Sequence, residues 1–140
     1  MKEIGREGQQ KLKGAKVLCI GAGGLGSPIL LYLAGAGIGT LGIVDGDSVD
    51  ESNLHRQVIH TEATLNMSKV ESAAQHIRAF NSRINVVTYP KRFSRENAAE
   101  ILAAHDWAVV VDGSDNAPTR YLVSDACVIA RKPLVSGSAL

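Results

Sequence analysis

Residues 17–44 carry no charged side chain, and the stretch is long enough to cross a bilayer. Its glycines decide against a membrane helix. Gly21, Gly23, Gly24, Gly26, Gly35, Gly37, Gly39 and Gly42, together with Pro28, divide it into strand, loop, short helix and strand, each too short to span. An uncharged strand of this kind needs burial on both faces. A central parallel strand provides that, because helices cover both of its sides and it reads as continuously apolar. The run therefore predicts the middle of a soluble α/β core.

The remainder of the chain alternates in the same way. Apolar runs of strand length lie at residues 16–20, 40–44, 84–89, 107–111 and 134–136, rich in β-branched residues or bounded by Gly, Asp or Pro. Ser27 and Pro28 suit the cap and first turn of a helix through Leu30, Leu31 and Leu33. Ser68 and Glu71 have capping-box spacing ahead of Ile77, Ser94 is placed to cap a helix through Ile101 and Leu102, and residues 116–131 form an amphipathic helix candidate. Alternating strands and helices imply right-handed crossovers. The predicted fold class is α/β, a Rossmann-like three-layer domain with a mostly parallel sheet and ligands at the carboxyl ends of its strands. With no internal repeat or linker, residues 1–140 read as one domain. The chain stops as a strand enters its loop, so an incomplete domain from a longer protein is expected.

Charge narrows the partners. Fifteen Lys and Arg against fourteen Asp and Glu leave a net +1 without a like-charge run, which argues against nucleic acid and membrane surfaces. Cys19 and Cys127 both lie in apolar segments and make no disulfide framework. A polar start at Met1, Lys2 and Glu3 does not resemble a secretory leader, so a cytoplasmic location is expected.

Chemistry is concentrated in an ordered series. Gly21, Gly23 and Gly26 have dinucleotide-loop spacing after the first strand, with Gly24 between them, and such a loop lets backbone approach phosphate at a helix N-terminus. Alone, it equally suits a tight turn that binds nothing. Asp45, at the end of the second strand, is placed for ribose hydroxyls. A loop plus Asp45 does not separate NAD from ATP. The residues that follow do: Ser52, Asn53, Arg56 and Gln57 form a short polar segment, and Lys69 opens the next helix. Arg suits bidentate phosphate contact and Lys supplies a mobile point charge, although singly they would also suit a surface salt bridge and a solvated helix end. Asp112 and Asp115 end the fourth strand, where a carboxylate could hold Mg²⁺ against phosphates. Asp115 with Asn116 could also be a simple helix cap. The four histidines show no metal-ligand spacing.

This series resembles the MoeB/ThiF family, adenylating relatives of ubiquitin-activating enzymes, over nearly the whole chain. The resemblance rests on residues 21–26, 44–47, 52–57, 69–71 and 112–116 with Thr119 and Arg120. Residues 113–127 are most similar to the subgroup in which a rhodanese domain follows. The resemblance implies MgATP-dependent adenylation of the C-terminal glycine carboxylate of a small ubiquitin-like sulfur-carrier protein, with release of pyrophosphate, for molybdopterin, thiamine or tRNA thiolation. It implies that Gly24 contacts ATP, Asp45 the ribose, Asn53, Arg56 and Lys69 the phosphates, and Asp115 the Mg²⁺, with Gly21, Gly23, Gly26, Ser52 and Asn116 completing the nucleotide site. It also implies a homodimer.

Relative to that family the chain is truncated at both ends. The resemblance implies a helix upstream of residues 3–5 whose arginine reaches the partner's site, which Met1 replaces here with Arg6 too far along to be its equivalent, and a second half with paired CxxC zinc ligands and a reactive cysteine, which this chain is expected to lack. No zinc site and no covalent thioester are therefore expected here. Two rivals stand beside the adenylating enzyme: an NAD-dependent oxidoreductase domain, which leaves Arg56, Lys69 and Asp115 without a task, and a non-catalytic subunit of an activating-enzyme heterodimer.

Overall fold

A computed structural model describes residues 5–137. The elements run α1 (Gly5–Gly14), β1 (Lys16–Ile20), α2 (Gly26–Ala36), β2 (Thr40–Val44), α3 (Lys69–Phe80), β3 (Asn85–Tyr89), α4 (Ala98–Ala103), β4 (Val109–Asp112), α5 (Ala117–Ala130) and β5 (Leu134–Ser136), with single 3-10 turns at Glu51–Asn53 and Glu62–Thr64. The five strands form one sheet in the order β3-β2-β1-β4-β5, and every pairing is parallel. The Rossmann-like expectation is met, with a sheet wholly rather than mostly parallel.

Alternation along the central strands fills two cores. Val17, Cys19, Leu41 and Ile43 face Leu30, Ala34, Val70, Ala73 and Ile77 of α2 and α3, while Leu18, Ile20 and Val44 face Ile101, Leu102, Trp107, Val123 and Cys127. Gly42 is the exception on the second face. A Cβ there would stand 2.5 Å from the Trp107 ring, so the missing side chain gives the indole its place, and its Nε1–H donates to the Ile101 carbonyl at 2.9 Å. Trp107 is thereby held ahead of β4, which starts at Val109 rather than at residue 107.

Capping differs from expectation in informative ways. Asn116 caps α5 by accepting from the Thr119 amide at 2.9 Å, and Ser68 caps α3 by accepting from Glu71 N–H at 3.3 Å. The Glu71 carboxylate does not close the box; it accepts instead from the Thr88 hydroxyl at 2.9 Å. Asn97 rather than Ser94 occupies the cap position of α4. Ser27 is no cap either, being fully buried inside α2, whose cap position is Leu25 without a side-chain cap bond. The α2 N-terminus thus keeps its first amides unspent by any side chain.

The register aligns the working edge: Ile20 pairs with Val44 on one side and Asp112 on the other, so the loops beginning at residues 21, 45 and 113 leave along one line. The chain reverses its order between β1 and β4, the crevice where doubly wound sheets take ligands. Among the described residues, no helix is long and apolar enough to cross a membrane. Residues 1–4 and 138–140, and with them the expected end of the last strand in its loop, lie outside the described residues.

Candidate functional site

Three glycines make the crevice possible. Gly21 has φ +102°, and a Cβ on it would lie 3.0 Å from the Gly113 carbonyl carbon. A Cβ on Gly26 would overlap the Gly21 carbonyl oxygen, and one on Gly113 would lie 3.1 Å from Gly26 Cα. The first strand's exit, the start of α2 and the loop after β4 therefore touch backbone to backbone. Gly23 and Gly24 face outward instead: Cβ atoms there would meet Gln57 Nε2 at 3.5 Å and Lys69 Nζ at 3.9 Å, and Arg56 Cδ at 4.0 Å. The polar segment and Lys69 are thus delivered to the glycine loop.

Together these groups line a cleft of about 480 Å³, the size of a small-ligand site. Its walls include Gly21, Gly23, Gly24, Asp45, Asp47, Arg56, Gln57, Lys69, Asp115 and Asn116. Gly26 sits behind the wall, and Ser52 and Asn53 are outside it. The Ser52 amide and hydroxyl both donate to Asp50, at 2.9 and 2.8 Å, building the turn that carries Arg56. Arg92, Phe93 and Arg120 also line the cleft. Sequence reading passed over Arg92 and Phe93, although their place just beyond the carboxyl end of β3 was a usable signal. A larger groove of about 1240 Å³ runs along α4 and α5, but it is lined mainly by residues such as Ala98, Leu102, Leu122 and Ile129. Its ion pair, Lys132 with Asp106 at 3.5 Å, is already matched. The smaller cleft has the convergent polar groups.

Lys69 is not a solvated helix end. It is 6% exposed, and the carboxylate of Asp47 is 3.9 Å from Nζ, beyond hydrogen-bond range. Its stem is buried, whereas Nζ opens on the cleft without a hydrogen-bonded carboxylate among the described residues to offset its charge. Among the described residues, the amides of Gly23, Gly24 and Leu25 make no hydrogen bond. An anion between the ammonium and these amides would satisfy both. Arg56 is exposed beside Gly24 and enters no ion pair among the described residues.

The carboxylates have separate tasks. Asp45 accepts from the Ala22 amide at 2.9 Å and the Asp47 amide at 2.8 Å, so it shapes the loop while keeping lone pairs toward the cleft. Asp112 is buried; its Oδ1 accepts from the Ser114 amide at 2.9 Å and hydroxyl at 2.6 Å. Asp115 is exposed on the cleft wall and makes no hydrogen bond among the described residues, so it is available to a cation, whereas Asn116 is spent as the cap. No group of three or more metal-ligating side chains exists among the described residues. Burial pushes the Cys19 thiol up to about 12, with Asp112 and Asp45 adding to the effect, and burial raises Cys127 likewise. Both thiols favour the protonated, unreactive form.

One buried group lies behind the loop. His60 Nε2 is 2.6 Å from the Ala22 carbonyl oxygen, which only accepts, so this nitrogen carries the proton. Nδ1, the acceptor of this tautomer, takes the Ser72 hydroxyl proton at 2.8 Å, and Thr64 Oγ1 lies 2.8 Å from Ser72 Oγ and 3.0 Å from the Thr61 carbonyl oxygen. Burial holds His60 below its ordinary pKa of 6.5; Lys69 and His76 push it the same way, against the Ala22 carbonyl and Asp45. The unfolded chain therefore takes up this proton first, so the stability contributed by neutral His60 is present above pH 6.5 and lost as pH falls toward the lower folded value. Urea midpoints at pH 7.5 and 5.5 should show a fall that shrinks in His60→Gln; an equal fall in both proteins would refute this assignment.

The ordered motifs and the converged cleft agree with a match of residues 1–140 to the ThiF family model. The chain belongs to the ThiF family. This ThiF domain is 55% identical over 140 residues to adenylyltransferase and sulfurtransferase MOCS3 of Anopheles gambiae, covering 100% of this chain and 31% of the relative. It is 56% identical to MOCS3 of Dictyostelium discoideum over 138 residues, covering 99% of this chain and 32% of the relative. The chain thus spans about a third of the length of these relatives. Among solved structures, E. coli tRNA N6-threonylcarbamoyladenosine dehydratase, TcdA, in complex with ATP superposes with TM-score 0.91 at 26% identity, over 96% of this chain and 55% of that one. E. coli MccB with MccA superposes with TM-score 0.84 at 28% identity, over 94% and 39%.

Proposed function

We propose that this ThiF domain binds MgATP in the cleft and adenylates the C-terminal glycine carboxylate of a small ubiquitin-like sulfur carrier. The observation that carries the reading is Lys69 on the same cleft wall as Gly23 and Gly24, whose amides make no hydrogen bond among the described residues, an anion site formed before any anion arrives. The ATP complex of TcdA and the adenylyltransferase names of the MOCS3 relatives support the same ligand and reaction.

In the proposed reaction a carboxylate oxygen of the carrier attacks the α-phosphorus, the bond to the pyrophosphate oxygen breaks, and acyl-adenylate and pyrophosphate result. No general base is needed, because a C-terminal carboxylate is already ionised near neutral pH. The protein's work is alignment and charge neutralisation. Lys69 and the loop amides hold phosphate oxygens, Arg56 reaches them from the solvent side, and Asp45 offers its remaining lone pairs to ribose hydroxyls. Asp115, on the wall and without an ion pair among the described residues, suits a Mg²⁺ ion, which when bound would neutralise phosphate charge. The cytoplasm and a homodimer belong to the same reading, the latter testable by sedimentation.

Thermal unfolding with MgATP and with NAD(H) tests it directly, since a ligand selective for the folded state raises the midpoint by mass action. MgATP should raise the midpoint and NAD(H) should not. Asp115→Asn should retain a shift with ATP alone but lose most of the extra shift that Mg²⁺ confers. A shift with NAD(H) only would replace the adenylating reading by the oxidoreductase one.

A further inference from the structure

We propose that His60 is a positioning residue that aims the glycine loop, fixing the Ala22–Gly23 peptide so that the Gly23 N–H faces the cleft in register with Lys69. The inference deepens the phosphate-binding reading above and rests on it for its role in ATP binding.

In a trans peptide, C=O and N–H point in opposite directions. The Ala22 carbonyl points back into the protein, 2.6 Å from His60 Nε2, and both residues are buried. The N–H of the same peptide, that of Gly23, therefore points away from His60, toward the cleft that Gly23 lines. Flipping this plane would place a carbonyl oxygen where the phosphate is to bind.

Glycine at 23 makes such a flip easy. Its φ is not positive, and a Cβ would meet nothing nearer than 3.5 Å, so neither strain nor crowding requires a glycine in this conformation. A glycine here leaves both orientations of the plane accessible. An outside donor must select one. The preceding amide is already pinned, since Ala22 N–H donates to Asp45 at 2.9 Å. His60 pins the next plane.

The other ring nitrogen extends the tie. Ser72, fully buried on α3, contacts Nδ1 at 2.8 Å, and α3 begins at Lys69. One imidazole thus bridges the loop that offers the amide and the helix that offers the ammonium. An apolar residue could fill the same volume without giving either peptide or helix a direction.

The test separates direction from packing. Gln at 60 can reach the Ala22 carbonyl as Nε2 does, whereas Asn can reach only Ser72 as Nδ1 does. With the full chain and no nucleotide, ¹⁵N relaxation dispersion at Gly23 and Gly24 should be flat in the parent and His60→Gln and show exchange in His60→Asn. That pattern supports the assignment whatever ATP does. MgATP titration then adds the functional arm: His60→Asn should weaken binding about tenfold, the scale of one lost directed hydrogen bond, with His60→Gln close to the parent. Lack of ATP binding by the parent would fail the phosphate reading and leave the loop assignment to be judged by dispersion. Any other dispersion pattern, including exchange in both variants or in neither, overturns it. Where His60→Asn does not fold, ring ¹⁵N shifts of the parent decide instead: an Nε2–H tautomer is expected, and an Nδ1–H tautomer overturns the proposal.

Discussion

Replacing Lys69 with alanine should reduce carrier-dependent ATP–pyrophosphate exchange by about 10²–10³-fold, the scale seen when a preorganised donor to developing oxyanion charge is removed. The expectation follows from burial. Lys69 is 6% exposed, and the one carboxylate within 4.0 Å of it among the described residues, that of Asp47, is 3.9 Å away. Its charge is therefore poorly compensated without an anion, and its removal should leave the urea midpoint unchanged or slightly higher. A residue kept for packing would behave in the opposite way, losing stability and activity together. Unchanged exchange in Lys69→Ala would remove the foundation of the adenylating reading.

The second large effect falls on folding. Gly26→Ala should destabilise the protein by about 3 kcal/mol, the upper range for forcing extra volume into close-packed structure, because its Cβ would overlap the Gly21 carbonyl oxygen. Backbone cannot rotate aside as a flexible side chain can. Gly35→Ala is the control. A Cβ at Gly35 meets nothing within 4 Å inside a helix, so that change should be neutral or stabilising. Urea unfolding of the two variants decides it: comparable midpoints would show that the loop relaxes at little cost.

Much of this architecture was legible beforehand, for definite reasons. The uncharged run with its glycines required a buried parallel strand, and β1, β2 and β5 fall where the apolar runs place them. Strand β4 was misplaced by two residues at its start because Trp107 looks like strand but serves the layer beneath Gly42. At the site, Arg56 and Lys69 could be named from spacing, but their opposite environments could not. Only the fold shows that Lys69 is enclosed and Arg56 open. Arg92 and Phe93 were missed because only their place beyond the carboxyl end of β3 marks them; the parallel sheet brings that end to the same edge as the loop after β1. His60 shares with the other histidines the lack of a metal spacing, and its contacts to Ala22 and Ser72 span sequence separations that no local pattern encodes.

The pocket under Gly42 has a spectroscopic consequence. Trp107 is the single tryptophan of the chain, 1% exposed, and its ring is enclosed in the layer formed with α4 and α5. Its emission should be short-wavelength in the native protein and move to the red when that layer opens. Because α2 and α3 pack against the other face of the sheet, tryptophan fluorescence watches one half of the core while circular dichroism watches both. Coincident transitions by the two probes would show that the halves unfold as one cooperative unit.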